Sequence, residues 1–553
     1  MVSGYFRSAT FAVPVADQLA PAETADGQPA RSLGTGDLLR PRVRSGGMSP
    51  ASLRAAMRRL LATLLAASAL LAAGCGGEDG GSPLDTALSY LPDDVLFAVA
   101  LETDLDGDQV RAVDDLLDEF VFADQARDFL REQVEQAAGG SFEEDIRPLT
   151  GNPVVIGGIR GEGGTMAGVG AIQVEDEDRL NDVLDRRGGR KIGESDGNAL
   201  YQEGETVYAV DGDVFVFADG RRAITAALER AGGDDHMDEE SFDAALEGLP
   251  DGPLARLYVD MEAALRSDPG SADARKVKWI DALRKMGLTV RARDGALDVD
   301  FRVATEGDLS EEDLPIASGD ESPGVIEREG EIGLGIRDLA HIVRFAENAG
   351  QAIDPAGFGD YQRAKKTIDA QLGVDLDEDL IGQLTGDVSA SVALDGGFGV
   401  RAELKDPAAF NRTLSRVVDV LPDFARGAGF GEVELGHVDG PDTIYMLTSR
   451  ETGGTVAFAV IGDVLVVAER PPQVLELADR EPGAVEDARG SAVLGADAEQ
   501  VANAFIDQFG DAFGIPDVGG LGRAFITGPL GDLRGSLVAE PDALRGKLTL
   551  TLD

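Results

Sequence analysis

A thiolate is the most reactive nucleophile a side chain offers near neutral pH, and in this 553-residue chain a thiol occurs once, at Cys75. A lone cysteine forms neither an internal disulfide nor a cysteine metal cluster, so the chemistry left to it is covalent modification. The alternating carboxylates Asp104, Asp106 and Asp108 are the next candidates, because oxygens one residue apart can converge on a hard cation such as Ca²⁺. Counted from Asp104, an EF-hand loop would need glycine sixth and glutamate twelfth; the chain has Gln109 and Asp115 there. Asp108 is therefore read as the N-cap of the next helix, with its acidic neighbours near that helix's positive end. His236, His341 and His437 have no partner at ligand spacing, and His236, in DDHMDEE, reads as a solvated loop entering a helix. No nucleophile elbow, phosphate-binding loop or zinc-protease helix motif occurs. The residues thus supply no catalytic, cofactor-binding or metal-ligating set, and a non-enzymatic role is expected. A cationic stretch, Arg275-Lys276-Val277-Lys278-Trp279-Ile280 continuing to Arg284 and Lys285, reads as a helix with Val277, Ile280, Leu283 or Arg284, and Gly287 on one side. Its charges are expected to pair with the chain's own carboxylates, the other reading being contact with lipid headgroups or an acidic partner.

Cys75 closes the apolar run LLATLLAASALLAAGC, Leu60 to Cys75, which follows Arg54, Arg58 and Arg59. A basic start, an apolar stretch of about 14 residues and small residues before a cleavage point make a secretion signal, and the run falls short of the ~20 residues that span a bilayer. Leu71-Ala72-Ala73-Gly74-Cys75 resembles the lipobox of bacterial lipoproteins. The resemblance implies a diacylglycerol on the Cys75 thiol and a cleavage that leaves Cys75 as the new N-terminus. One position departs from that pattern, since the commonest residue three before the cysteine is Leu, whereas Ala72 stands here and Leu71 one place further out. Residues 48–75 are accordingly read as a lipoprotein signal peptide, with Met48 or Met57 as the natural start. Residues 1–47 become a misassigned or disordered extension, and residues 76–84, which include GGEDGGS, a flexible tether. The formal charge of −51 repels nucleic acid and anionic headgroups alike. The expected membrane partner is therefore reached through the lipid on Cys75, at the outer face of the cell membrane, where two acyl chains suffice to hold a protein.

Beyond the tether the residues alternate between strand and helix periods. Val95 to Leu101 (VLFAVAL) is a strand, Gln109 to Phe120 an amphipathic helix, and Asp211-Gly212 a hairpin signal between two apolar strands. The order recurs. FEEDIRPLTGNPVVIGGI returns as LDEDLIGQLTGDVSASVAL, RLNDVLDRRGG as AFNRTLSRVVD, and VYAVDGDVFVFADGRRAITAAL as AFAVIGDVLVVAERPPQVLELA. The expected fold is α+β, two tandem copies of one unit at 85–305 and 325–553, each a mainly antiparallel sheet with helices packed on it. Residues 306–324, acidic and aperiodic, read as a linker. Val207 to Ala218 and Ala457 to Ala468 are apolar at successive positions, so both faces of those strands should be covered.

SYLPDDVLFAVALETDLDGDQ and the FEEDIRPLTGNP block resemble the bacterial family catalogued as a domain of unknown function, numbered three-three-five-two. The resemblance covers most of the mature chain and implies an exported, often anchored protein with no catalytic residues to carry over. The function expected from the sequence is a lipid-anchored extracytoplasmic binding protein for an apolar ligand or an envelope component. The alternative is a structural or protein-interaction module of the envelope without a small ligand. The anchor is directly testable: expressed in a bacterial host, the protein should partition into detergent and carry diacylglycerol mass at its N-terminus. Cys75→Ser should abolish both, and an unmodified thiol in the mature chain would refute the assignment.

Overall fold

The computed structural model describes residues 82–138, 141–160, 166–328, 330–394, 397–427, 431–513, 523 and 527–553. Cys75, the expected signal peptide and the expected extension before it lie outside the described residues. Ten strands precede the connector: β1 (Phe97–Leu101), β2 (Val154–Arg160), β3 (Met166–Gln173), β4 (Arg190–Ser195), β5 (Asn198–Glu203), β6 (Thr206–Asp211), β7 (Val214–Ala218), β8 (Ala255–Asp260), β9 (Leu283–Arg293) and β10 (Ala296–Thr305). Ten follow it: β11 (Glu331–Ile336), β12 (Val388–Ala393), β13 (Phe398–Glu403), β14 (Val433–Val438), β15 (Ile444–Ser449), β16 (Thr455–Ile461), β17 (Val464–Ala468), β18 (Ala492–Asp497), β19 (Leu530–Ala539) and β20 (Ala543–Leu552).

All twenty strands join one antiparallel sheet. The first ten run β4-β5-β6-β7-β3-β2-β1-β8-β9-β10. β10 then pairs with β20, and the order continues β20-β19-β18-β11-β12-β13-β17-β16-β15-β14. The protein is thus α+β with a large antiparallel sheet and helices on its faces. Tight turns set the hairpins, with Gly212 between β6 and β7 and Gly462 between β16 and β17 both at φ 60, a conformation that costs a side-chain-bearing residue strain. Glycines inside strands have a different cause. Phe97 lies over Gly158, Phe217 over Gly170 and Phe301 over Gly546, each ring filling the space a Cβ would take.

Helices Pro83–Leu88, Arg221–Ala231 and Glu239–Ala245 cover one face of the first ten strands, burying Ala98, Val155, Val207, Ala209 and Val216. The helix Glu177–Arg187 lies on the other face, where Leu180 meets Val154, Ile172, Val210 and Phe215. In the second run, Pro471–Asp479 covers Ala459 and Val466, and Pro407–Val417 covers Phe458 and Val460 from the opposite side. The strands read as apolar at successive positions are therefore buried on both faces.

The two halves are not separately closed. Nine consecutive pairs, Ala296↔Thr551 to Ala304↔Ala543, form the β10–β20 ladder. Phe345 and Ala349, on the helix Leu339–Ile353, pack with Val277, Ile280, Leu283 and Val303 of the first half. The connector differs from the aperiodic acidic linker expected at 306–324, because its aliphatic residues are used. Leu314 is fully buried and Leu309 nearly so, Lys278 holds Asp313 at 2.7 Å, and His341 Nε2 lies 2.9 Å from the Leu314 carbonyl oxygen.

At the seam the polar face carries a buried charge. Asp298, 1% exposed, accepts from Arg293 Nε at 2.9 Å and Thr549 Oγ1 at 2.7 Å, with Arg291 and Lys547 each 3.6 Å away. Burial opposes its ionisation, but the bonds from Arg293 and Thr549 and the charges of Lys547 and Arg293 outweigh burial and hold the carboxyl below the usual range. Asp300, two pairs along on the same face, is pushed the other way by burial. A depressed carboxylate binds fewer protons folded than unfolded, so its stabilisation is present above the unfolded value near 3.9 and is lost as pH falls through the lower folded value. Asp298→Asn should cost roughly 1–3 kcal/mol at neutral pH, the lower end applying if the half-exposed cations relax into water. It should also flatten the loss of stability below about pH 4, the window set by the unfolded carboxylate. Melting temperature against pH checks both, and wild-type-like acid sensitivity in the variant would contradict them.

Candidate ligand-binding cleft

The carboxylates expected near residue 104 do not converge. Asp104 Oδ1 accepts from the Asp106 N–H at 3.0 Å, and the Gly107 N–H donates to the Asp104 carbonyl at 2.9 Å, which makes a tight local turn. Gly107 occupies the N-cap and Asp108 is the first helical residue, its exposed side chain paired with Arg111. The N-cap expected at Asp108 is thus one residue too late, because the turn brings the chain into helical register at the glycine. Among the described residues no group of three or more His, Cys, Asp or Glu could hold a metal ion. The histidines stay apart, with His236 Nδ1 2.9 Å from the Gly233 carbonyl oxygen and His437 3.6 Å from Asp439. The cationic stretch is not one long helix: a single turn at Ala274–Lys276 and a short helix at Lys278–Asp281 give way to β9 at Leu283. Three of its cations pair with the chain's own carboxylates, Lys276 with Asp273 at 2.8 Å, Lys278 with Asp313 at 2.7 Å and Arg284 with Glu306 at 3.0 Å. Lys285 lies over the Tyr258 ring, and the buried Arg275 Nε has no hydrogen-bond partner among the described residues.

An open feature of the first half lies between the helix Glu177–Arg187 and the β5–β6 hairpin. Asp176 caps the helix by accepting from the Arg179 N–H at 2.8 Å. Leu180 and Val183 bury its inner side. The helix stops at Gly188, whose φ of 68 is left-handed and whose N–H returns to the Leu184 carbonyl at 3.3 Å, the ordinary glycine-terminated helix end. Glu177, Asn181, Leu184 and Asp185 are spaced i, i+4, i+7, i+8 and so share one side. That side forms the wall of a cleft of about 280 Å³, whose floor is Asn198, Ala199, Tyr201, Tyr208, Val210 and Gly212.

Tyr201 and Tyr208 face each other across β5 and β6 with ring centroids 5.6 Å apart and planes 15° from parallel, and Phe215 continues the row 5.8 Å beyond Tyr208. Tyr208 is buried, and Tyr201 is partly open to the cleft. Among the described residues Glu177, Asn181, Asp185 and Asn198 have no side-chain hydrogen bond or ion pair. Two of the helix's arginines serve the other side, since Arg186 pairs with Asp145 and Arg179 lies 3.7 Å from it.

The same place in the second run of strands is built differently. Tyr445 and Phe458 pair across β15 and β16 with centroids 5.6 Å apart and planes 28° from parallel. Here the helix Pro407–Val417 does not stop; it passes through Val418–Val420 into Leu421–Gly427. Val418 and Leu421 pack with Leu435, Tyr445 and Leu447, so the sheet surface is covered. The cleft residues went unremarked from sequence alone, because scattered Glu, Asn and Asp on a surface helix are ordinary. The available signal was the pairing of RLNDVLDRRGG with AFNRTLSRVVD, which sets the helix-ending Gly188-Gly189 against Val418-Asp419.

No family model and no curated protein matches the chain. Among solved structures, crystal form IV of TP0453 aligns at 9% identity and a TM-score of 0.24, covering 39% of this chain and 80% of that one. Crystal form III aligns at 10% and 0.24, covering 40% and 81%, and crystal form I at 11% and 0.23, covering 40% and 80%.

Proposed function

We propose that the protein is an exported, lipid-anchored binding protein of the cell envelope, non-catalytic, made of two tandem copies of one α+β unit, with the first copy's cleft as its binding element. The duplication is supported by the strand order, in which β1 to β10 and β11 to β20 follow the same sequence of neighbours from each end of the sheet, and by the recurring LTG, helix and hairpin segments. The kinship with the family numbered three-three-five-two belongs to the same proposal. So does the anchor at Cys75, which rests on the lipobox resemblance.

The observation that carries the binding role is the contrast between the copies. One helix-and-hairpin surface is covered by the chain's own continuation at Val418–Gly427, and its counterpart is left open with four unpaired polar side chains over a tyrosine floor. Of the ligand classes expected from the sequence, this lining supports a polar envelope component over a purely apolar molecule, because an apolar occupant would strip water from carboxylates without replacing it. A binding role is also favoured over paired-carboxylate hydrolysis. Glu177 and Asp185 are eight residues apart on a helix, about 12 Å along its axis, against the roughly 5–9.5 Å between carboxyl groups that glycoside hydrolysis uses.

Protein isolated with its anchor from membranes of the producing cell should release a bound small molecule, seen by native mass spectrometry. Asn181→Trp, which fills the cleft from its exposed wall, should lose that mass while keeping the wild-type melting temperature. Tyr445→Ala in the second copy should retain it. An equal load of bound mass in the Asn181→Trp protein would place binding elsewhere.

A further inference from the structure

Resting on the reading of the cleft as the binding element, we propose that its ligand is a linear organic polycation: two or more ammonium groups carried on a flexible aliphatic chain. Glu177 and Asp185 open onto the cleft with no counter-ion among the described residues. The nearby cations that are described are engaged elsewhere: Arg186 with Asp145, Lys191 with Glu194 at 2.7 Å, and Arg190 with the Gln202 amide oxygen at 2.8 Å. A neutral or anionic occupant would desolvate two carboxylates without compensating them, whereas a cation replaces the water it displaces.

Geometry separates an organic cation from a metal ion. Ca²⁺ needs six to eight oxygens converging at about 2.3–2.6 Å, and the two carboxylates are set two helical turns apart, about 12 Å along the axis. That spacing suits charges at the two ends of an extended chain. Between them, the Asn181 amide oxygen can accept from a central amine, and the Leu184, Val210 and Tyr201 surfaces suit methylene groups. The partly open ring of Tyr201 adds a face that attracts an ammonium group.

The second copy provides an internal comparison. Where the first has Glu177 and Asp185, the aligned helix has Pro407 and Ser415, and there the surface is closed. Carboxylates and opening therefore occur together. The chain's charge of −51 would draw a polycation toward the body at low salt, an effect that screening removes.

The test is calorimetric titration of the full mature chain bearing Cys75→Ser with choline, putrescine and spermidine. Affinity should rise in that order and fall with added salt. Glu177→Gln combined with Asp185→Asn should weaken spermidine at least about tenfold, and Tyr201→Leu should weaken it too. Glu311→Gln with Glu312→Gln, which removes the same charge from the connector, should leave it unchanged; an equal loss there would mean adsorption to the acidic surface and would overturn the proposal. A capped peptide with two lysines four residues apart distinguishes the source. Tighter binding than spermidine would assign the ammonium groups to a partner protein, and weaker binding would assign them to a free polyamine. Equal binding of choline and spermidine, or no effect of the Glu177/Asp185 double variant, would also overturn it. If the envelope-derived mass still depends on Asn181 while no amine binds, the cleft remains the binding element and only the polycation is rejected.

Discussion

Where β10 meets β20, nine residue pairs cross from one half of the chain to the other, and on one face of that ladder sits a carboxylate almost without contact to water. Burying a charge is tolerable only when paired and hydrogen-bonded. Asp298 satisfies that condition with groups from both halves: Arg291 and Arg293 from β9, Lys547 and Thr549 from β20. The opposite face is apolar, with Phe301 and Val303 meeting Phe345 and Ala349. The junction therefore combines a non-directional cluster on one side with a directional network on the other. The network fixes the register that the cluster alone would leave loose.

That fixed junction makes the difference between the two runs of ten strands interpretable. Both place a helix over a hairpin with an aromatic pair in register, Tyr201 with Tyr208 and Tyr445 with Phe458. What separates them is one local event, the left-handed Gly188 that ends a helix where its counterpart carries on through Val418 to Leu421. A single backbone choice converts covered sheet into an accessible wall and floor. The polar side chains along Glu177–Asp185 follow from that exposure, since an uncovered helix face meets water.

Much of this was readable from residues alone. The α+β class, the Asp211-Gly212 hairpin and the two-faced burial of Val207–Ala218 follow from turn chemistry and unbroken apolar runs, which act over a few residues. Three things were not. The cationic stretch has Val277 and Ile280 at helical spacing, yet its 283–287 end joins the sheet because β8 and β10 flank it, and tertiary pairing overrides a three-residue period. The connector's acidity hid Leu309 and Leu314, whose burial depends on surfaces far along the chain. The cleft depends on what fails to cover it, and local residue patterns report presence better than absence.

The β10–β20 pairing also bears on how the chain reaches its native state. Asp298 and its partner Thr549 are 251 residues apart, so the ladder closes only after nearly the whole polypeptide is available, and contacts of such separation form late. Until then the first ten strands present β10 as an open edge, the kind of template that invites mispairing with another chain. That edge carries Asp298, Asp300 and Arg302 at alternate positions along one face. In the finished sheet Asp298 is a fully partnered network member, while in the waiting half-sheet it keeps Arg291 and Arg293 of β9 but lacks Lys547 and Thr549, and so remains a partly satisfied charge beside the exposed edge. The residue that locks the native seam thereby serves earlier as a gatekeeper, disfavouring every partner strand that lacks a Lys547 and a Thr549 to meet it.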